Sequence, residues 1–163
     1  SFATVEEIQQ SGKLKENSAE LFARFDGMGL SVRALRDFSF DEDLERACCF
    51  FSEFLSQIVC TYGGRCFRDD DDVPQSNYLL GVKKGLVIDG NPLFPESSGH
   101  MGIYINDACG PIKTGDKNNV RFSLGWIQTS DGKKQVIWIR AKKHIAAGDE
   151  LFLSYGSDFW KKK

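Results

Sequence analysis

The stretch of sequence that decides the fold is IAAGDELFLSYG, residues 145–156. On its own it predicts a turn at Gly148, a short strand over 151–153 and a corner at Tyr155-Gly156. Any β protein can contain those features, so the stretch is informative only together with the segments that precede it. Two of these are GMGL at 27–30, followed by alternating apolar residues, and INDACGP at 105–111.

The rest of the chain is predicted to be mostly short strands. The candidates are 30–35, 58–62, 78–82, 86–88, 120–124, 136–140 and 151–153. Turn signals separate several of them, at Lys84-Gly85, Asp89-Gly90 and Asp131-Gly132, and the last favours a tight hairpin. Residues 4–25 predict one or two short helices, and 41–57 predict another. The sequence therefore predicts an α+β domain in which β structure dominates.

Composition predicts one soluble globular domain and excludes several classes of function. The chain has 163 residues, 41% of them hydrophobic, and a formal net charge of −2. That charge gives no overall attraction to a nucleic-acid backbone or an anionic membrane surface, so direct nucleic-acid binding is not expected. No apolar run approaches the roughly 18 residues of a membrane span, so no membrane association is expected. The first residues resemble no signal peptide, which suggests an excised domain or a processed protein.

The five cysteines predict free thiols and no metal site. Cys48 and Cys49 are adjacent, and Cys60, Cys66 and Cys109 lack the paired spacing of a zinc site. Free thiols fit a reducing, intracellular compartment.

An acidic run at 69–72 precedes Pro74. Such runs are usually solvated loops. The alternative is an acidic docking surface for a basic peptide.

Taken in order, these segments resemble the signature of the SET-domain protein lysine methyltransferases. GMGL is similar to the opening G-x-G-Φ of that family, INDACGP to its I-N-H-S-C-x-P-N, and residues 145–156 to its closing I-x-x-G-E-E-L-x-x-x-Y-G. Supporting matches are Tyr62-Gly63-Gly64, at the Y-x-G position, and a strand ending in Ile88-Asp89. Two glycines alone do not identify a family, but the ordered combination of all these segments is specific for this one.

The resemblance implies a fold and a division of the chain. The fold has several small β-sheets, and its C-terminal segment is threaded under a loop as a pseudoknot. The predicted parts are an N-terminal helical extension at 1–25, a SET domain at 26–160 with a helical insertion at about 37–57, and a basic tail at 161–163. S-adenosylmethionine and a substrate lysine are expected to enter from opposite faces and meet in a narrow channel.

The resemblance also assigns the catalytic and channel residues. Tyr155 is the hydroxyl expected at the methyl-transfer pore, and Tyr62 is a second channel hydroxyl. The alternative for Tyr62 is an ordinary core or corner residue. The substrate channel is expected to include Tyr78, Phe122 and Leu153, although Phe122 and Leu153 could merely fill the core.

The cofactor site is predicted in the same way. Asn106 is expected to hold the amino-acid end of the cofactor, because its amide both donates and accepts hydrogen bonds. Glycines permit close approach to that end. Trp160 either stacks on adenine or closes the core. The full predicted set is Asp26, Gly27, Met28, Gly29, Tyr104, Asn106, Asp107 and Trp160.

Three departures from the family pattern leave alternatives open. Asp107 stands where the family has histidine, residues 112–117 look inserted, and no cysteine follows Cys109 to form the cysteine-rich tail of many histone-directed members. The prediction is a protein lysine N-methyltransferase acting on a protein substrate, with a basic histone tail as one candidate. Family analogy favours the nucleus over the cytoplasm. The alternatives are a catalytically silent SET-like binding module and an unrelated β-rich interaction domain.

Overall fold

The computed structural model describes residues 1–14, 18–23, 29–40, 58–68, 71–107 and 118–154. Within these ranges the helix is α1 (Val5–Gln10), and two 3-10 helices follow later at Pro95–Ser97 and Met101–Tyr104. The described strands are β1 (Ala19–Ala23), β2 (Leu30–Ala34), β3 (Ile58–Tyr62), β4 (Arg65–Arg68), β5 (Leu79–Lys83), β6 (Leu86–Asp89), β7 (Val120–Thr129) and β8 (Gly132–Ala141).

The described strands form three small antiparallel sheets. β1 pairs with β2, β8 lies between β3 and β7, and β6 lies between β4 and β5. Two predicted turns join neighbouring strands. Gly85, with φ of 82°, follows Lys84 between β5 and β6, and Gly132, with φ of 112°, closes the β7–β8 hairpin opposite Thr129. The prediction of a β-dominated α+β fold with several small sheets is confirmed.

Apolar residues from all three sheets meet in one main core. Val32 of β2, Leu80 of β5 and Ile139 of β8 each have 0% exposure, as does Leu151 of the closing stretch. Burying such a side chain stabilises the fold by about 1.5–3 kcal/mol. A second, smaller cluster, which includes Ile8 and Trp138, lies between α1 and the β7–β8 hairpin.

The first predicted helix is present and begins at a capping box. The Thr4 hydroxyl accepts a hydrogen bond from the Glu7 amide, and the Glu7 carboxylate accepts one from the Thr4 amide. Glu7 also forms a 2.8 Å ion pair with Lys134 of β8, and this bond lowers the pKa of the Glu7 carboxyl. The helix is therefore attached to the β7–β8 hairpin by both charge and apolar burial.

A helix predicted in the second half of residues 4–25 is wrong where the structure describes it. Residues 19–23 form β1, which pairs with β2 from Ala19↔Ala34 to Ala23↔Leu30. Glu20 lies opposite Arg33 and forms an ion pair with it. A helix this short is marginal in isolation, so the main-chain pairing with β2 decides the conformation.

The first residues of the helical insertion predicted at about 37–57 are not helical. Phe38 pairs with Ile145 through two main-chain hydrogen bonds of 2.8 and 2.9 Å, so its backbone is part of a β-bridge. The predicted helix at 41–57 lies outside the described residues.

The closing stretch passes between two parts of the fold. On one side the Leu151 amide donates to the Val32 carbonyl at 2.8 Å. On the other side the Leu153 amide donates to the Asn106 carbonyl at 3.0 Å, and Phe152 accepts from the Val120 amide at 3.2 Å. These contacts are isolated bridges rather than the regular strand predicted over 151–153. No helix in the described part of the chain is long and apolar enough to cross a membrane.

Candidate functional site

Asn106 joins the three motif segments at one place. Its side-chain amide donates to the Leu30 carbonyl at 3.4 Å, and its main-chain carbonyl accepts from Leu153. Leu30 ends the GMGL segment and Leu153 belongs to the closing stretch. Segments that are far apart in sequence therefore converge on the asparagine that was predicted to hold the cofactor.

Gly29 lies beside this convergence in a left-handed conformation. Its φ is 79°, which favours glycine because a side chain there is strained. Among the residues that the structure describes, no atom apart from the chain neighbours lies within 4 Å of where a Cβ would stand. The glycine is therefore required by its conformation.

Several predicted site residues lie outside the described part of the chain. They are Asp26, Gly27, Met28, Tyr155 and Trp160. Asp107 follows Asn106 directly and is half-buried, as is Tyr104 at the end of the preceding 3-10 helix.

Tyr62 lies in the main core with 1% exposure. Its hydroxyl donates to the main-chain carbonyl of Tyr78. Tyr62 is therefore buried as expected for an ordinary core residue, the alternative to a channel residue. Its hydrogen bond fixes the direction of the hydroxyl. The two predicted channel tyrosines are thus in contact with each other.

The other channel candidates also lie at the main core. Phe122 and Tyr78 are partly buried against the main core, and Leu153 is part of it with 1% exposure. Leu153 forms a bridge with Val120, two residues before Phe122 on β7. Leu153 therefore fills core space, and the channel that these residues were predicted to line stays a prediction.

Asn119 holds the closing stretch in place and was not identified from the sequence. Its side-chain oxygen accepts from the Phe152 amide at 2.9 Å, and its side-chain nitrogen donates to the Glu150 carbonyl at 2.9 Å. The amide thus pairs with the backbone as a neighbouring strand would. The only signal in the sequence was its place just before the strand candidate at 120–124.

His100 is a buried titratable group that the sequence analysis did not select. It is 4% exposed, and its Nδ1 lies 2.8 Å from the Thr61 hydroxyl. Burial lowers the pKa of His100 to about 4, so the ring is neutral at physiological pH. Burial likewise raises the pKa of Cys60 to about 12, which keeps that thiol protonated and unreactive. Within the described ranges no group of three or more potential ligands is arranged to hold a metal ion.

This histidine gives the fold a dependence on pH. Because its pKa falls from 6.5 to about 4 on folding, the unfolded chain takes up the proton first as the pH drops. We expect the free energy of unfolding to decrease by about 3 kcal/mol between these values on account of His100. Urea unfolding from pH 7 to pH 4 measures this effect. His100→Leu should flatten the slope, and a slope equal to that of the wild-type chain would contradict the assignment.

Comparison with known proteins agrees with this geometry. The family model described as the SET domain matches residues 29–156. The crystal structure of a proposed histone methyltransferase of Plasmodium falciparum superposes with a TM-score of 0.52 at 17% sequence identity, covering 90% of this chain and 99% of that one. At this identity the likeness shows the fold alone. No curated protein sequence matches the chain.

Proposed function

The chain belongs to the SET-domain family, and we propose that it is an S-adenosylmethionine-dependent protein lysine N-methyltransferase. The observation that supports this proposal most strongly is the convergence of three motif segments on Asn106. The Asn106 amide, which has donor and acceptor groups, is bonded to Leu30, the residue that follows Gly29. A zwitterionic amino-acid group requires both kinds of partner, so the residues present fit the amino-acid end of the cofactor.

The bound cofactor would supply a methyl group on a positively charged sulfur, which is open to direct attack by a neutral amine. The chain has to hold that amine in line with the methyl carbon and the sulfur. Orientation of this kind provides a large part of the rate acceleration. Tyr155 is proposed to orient the amine with its hydroxyl. It follows Leu153 by two residues, and the Leu153 amide is bonded to Asn106.

The channel also has to favour the neutral amine. A free lysine has a pKa near 10.4, so only about one molecule in a thousand is neutral near pH 7. Apolar and aromatic walls remove water and thereby lower the pKa of an enclosed ammonium group. Phe122, Leu153 and Tyr78 are proposed to form such walls. Leu153 is part of the main core, and Phe122 and Tyr78 pack against that core.

The proposed substrate is a lysine in a basic segment of another protein. Asp71 and Asp72 are exposed beside β4 and can attract positive charge. The structurally similar Plasmodium protein is described as a proposed histone methyltransferase, which makes histone tails the first peptides to test. A nuclear location is proposed on the same basis.

A catalytically silent SET-like module is the second candidate. The observation that favours it is Asp107, which stands where the family has histidine. Such a module would bind a peptide or a partner protein without transferring a methyl group. A peptide array incubated with the chain and a radiolabelled methyl donor separates the two. Peptides that acquire the radiolabelled methyl group support the methyltransferase. Peptides that bind the chain but acquire no radiolabel support the silent module.

The channel walls predict the number of methyl groups transferred. In some relatives a tyrosine at the position of Phe122 or Leu153 restricts the product to monomethyl-lysine, and neither residue here has a hydroxyl. We therefore expect di- or trimethylated peptide after exhaustive turnover, measured by mass spectrometry. Phe122→Tyr should move the product toward monomethyl-lysine. An exclusively monomethylated product from the wild-type chain would contradict the prediction.

A further inference from the structure

A buried carboxylate that is hydrogen-bonded toward Tyr62 and Tyr78 has no role in the proposed function. Asp89 ends β6, the central strand of its sheet, and has 0% exposure. Its Oδ1 accepts two hydrogen bonds, from the Ser76 hydroxyl at 2.8 Å and from the Asn91 amide at 3.0 Å. Its Oδ2 is also buried and has no hydrogen-bond partner among the residues that the structure describes.

Hydrogen bonds connect this carboxylate to both channel tyrosines. The Ser76 hydroxyl accepts from the Tyr78 amide at 3.1 Å. The Tyr78 carbonyl in turn accepts from the Gly90 amide at 3.0 Å and from the Tyr62 hydroxyl. Because Gly90 follows Asp89 in the chain, the bonds among Asp89, Ser76, Tyr78 and Gly90 form a closed ring, called the Asp89 ring below. The Tyr62 hydroxyl is bonded to this ring from outside it.

Close packing leaves the ring little freedom. A Cβ on Gly90 would lie 2.9 Å from the Tyr62 hydroxyl oxygen and 2.6 Å from a methyl carbon of Ile103. A Cβ on Gly64, just after Tyr62-Gly63, would lie 2.1 Å from the Asp89 carbonyl oxygen. The backbone of Gly90 therefore packs directly against Tyr62, and the backbone of Gly64 packs directly against Asp89. A displacement of Asp89 would consequently displace Tyr62.

A buried carboxylate with one unpaired oxygen is costly if it serves packing alone. Removing a charge from water is unfavourable unless hydrogen bonds compensate for it. Both described bonds to the Asp89 side chain go to a single oxygen, and each holds a residue of a neighbouring loop, Ser76 or Asn91. The arrangement therefore indicates that geometry, rather than charge at the reacting atoms, is what Asp89 contributes.

We propose that Asp89 is a positioning residue: through Ser76 it fixes the Tyr78 carbonyl, and through that carbonyl it fixes the direction of the Tyr62 hydroxyl. The positional claim concerns the folded chain itself. Its effect on methyl transfer rests on the proposed function.

The positional claim is tested by fluorine NMR on chain labelled with 3-fluorotyrosine. Four tyrosines are present, so four signals can be assigned with single Tyr→Phe variants. We expect Ser76→Ala and Asp89→Ala to move the signals of Tyr62 and Tyr78. Ser97→Ala is the matched control, because it removes a buried hydroxyl that has no hydrogen-bond partner in the described part of the chain. Unchanged Tyr62 and Tyr78 signals in the folded Ser76→Ala protein overturn the proposal, even if Asp89→Ala fails to fold.

Asp89→Asn separates geometry from charge. Asparagine keeps one oxygen that can accept both bonds, so we expect wild-type positions for the Tyr62 and Tyr78 signals. If the Tyr62 and Tyr78 signals of Asp89→Asn lie at the positions found for Asp89→Ala, the proposal that the carboxylate acts through its geometry is overturned.

The catalytic consequence is tested on a peptide that the wild-type chain methylates. We expect Ser76→Ala to lower kcat about tenfold, with peptide KM and cofactor affinity unchanged, and Asp89→Asn to retain activity. A loss with Asp89→Asn and none with Ser76→Ala would indicate a charge-based role and overturn the proposal. If the wild-type chain methylates no peptide, the proposed function fails while the NMR measurement still decides the role of Asp89.

Discussion

Asn119→Ala is expected to lower the free energy of unfolding by about 2–4 kcal/mol. The substitution removes both bonds that the side chain makes to the closing stretch, at the Glu150 carbonyl and the Phe152 amide. Each main-chain group left unsatisfied in a partly buried place costs about 1–3 kcal/mol. Because Leu153 of this stretch is bonded to Asn106, the proposed cofactor residue, the variant should also bind the cofactor more weakly than the wild-type chain does. Urea unfolding followed by circular dichroism measures the stability.

Two further variants make this result specific. Asn91→Ala is the matched control, since Asn91 lies in a turn and its side-chain oxygen accepts a local bond from the Leu93 amide. Asn119→Asp keeps the acceptor for Phe152 but places a carboxylate oxygen against the Glu150 carbonyl, so it should be at least as destabilising as alanine. If Asn119→Ala and Asn91→Ala lost the same small amount of stability, the proposed anchoring role of Asn119 would be wrong.

Tyr155→Phe is expected to reduce the rate of methyl transfer at least about 100-fold, within the range usual for a positioned catalytic side chain. The phenyl ring preserves the apolar volume, so only the proposed orientation of the amine is lost. Cofactor affinity and the unfolding midpoint should therefore stay close to those of the wild-type chain. Initial rates of methyl transfer to a peptide that the wild-type chain methylates, measured with saturating cofactor, test the expected loss.

An exposed aromatic residue provides the control for that variant. Trp126 lies on β7 with 57% exposure, so Trp126→Phe also removes a polar atom from an aromatic side chain. We expect it to retain wild-type rates. Equal rates for Tyr155→Phe and the wild-type chain would remove Tyr155 from the mechanism.

Sequence patterns predicted the fold best where burial is continuous or a turn is explicit. Ile58–Tyr62, rich in β-branched residues, forms β3 with the predicted bounds and is buried throughout. The Asp131-Gly132 signal located the β7–β8 hairpin. β4 was missed because Arg65–Arg68 is largely exposed and has no β-branched residue, so its pairing with β6 decides its conformation. β1 was predicted as helix for the same reason, since its partner is in β2.

In the candidate site too, sequence motifs indicated some residues, whereas the contacts of others depend on tertiary packing. Motif order identified Asn106, and the structure brings it to Leu30 and Leu153. The contacts of Asn119 join residues 31 and 33 positions apart, and no local pattern in the sequence encodes them. Asp89 was noticed only as the end of a strand, because its bonds to Ser76 and Asn91 depend on how two turns pack together.

Calorimetric titration with S-adenosylmethionine, comparing the wild-type chain with Asn106→Ala, tests the central claim most directly. We expect micromolar binding to the wild-type chain and its loss in the variant, because Asn106 is where the three motif segments meet. Circular dichroism establishes that both proteins are folded. A folded wild-type chain that binds neither S-adenosylmethionine nor its demethylated product would contradict the account and favour the silent module.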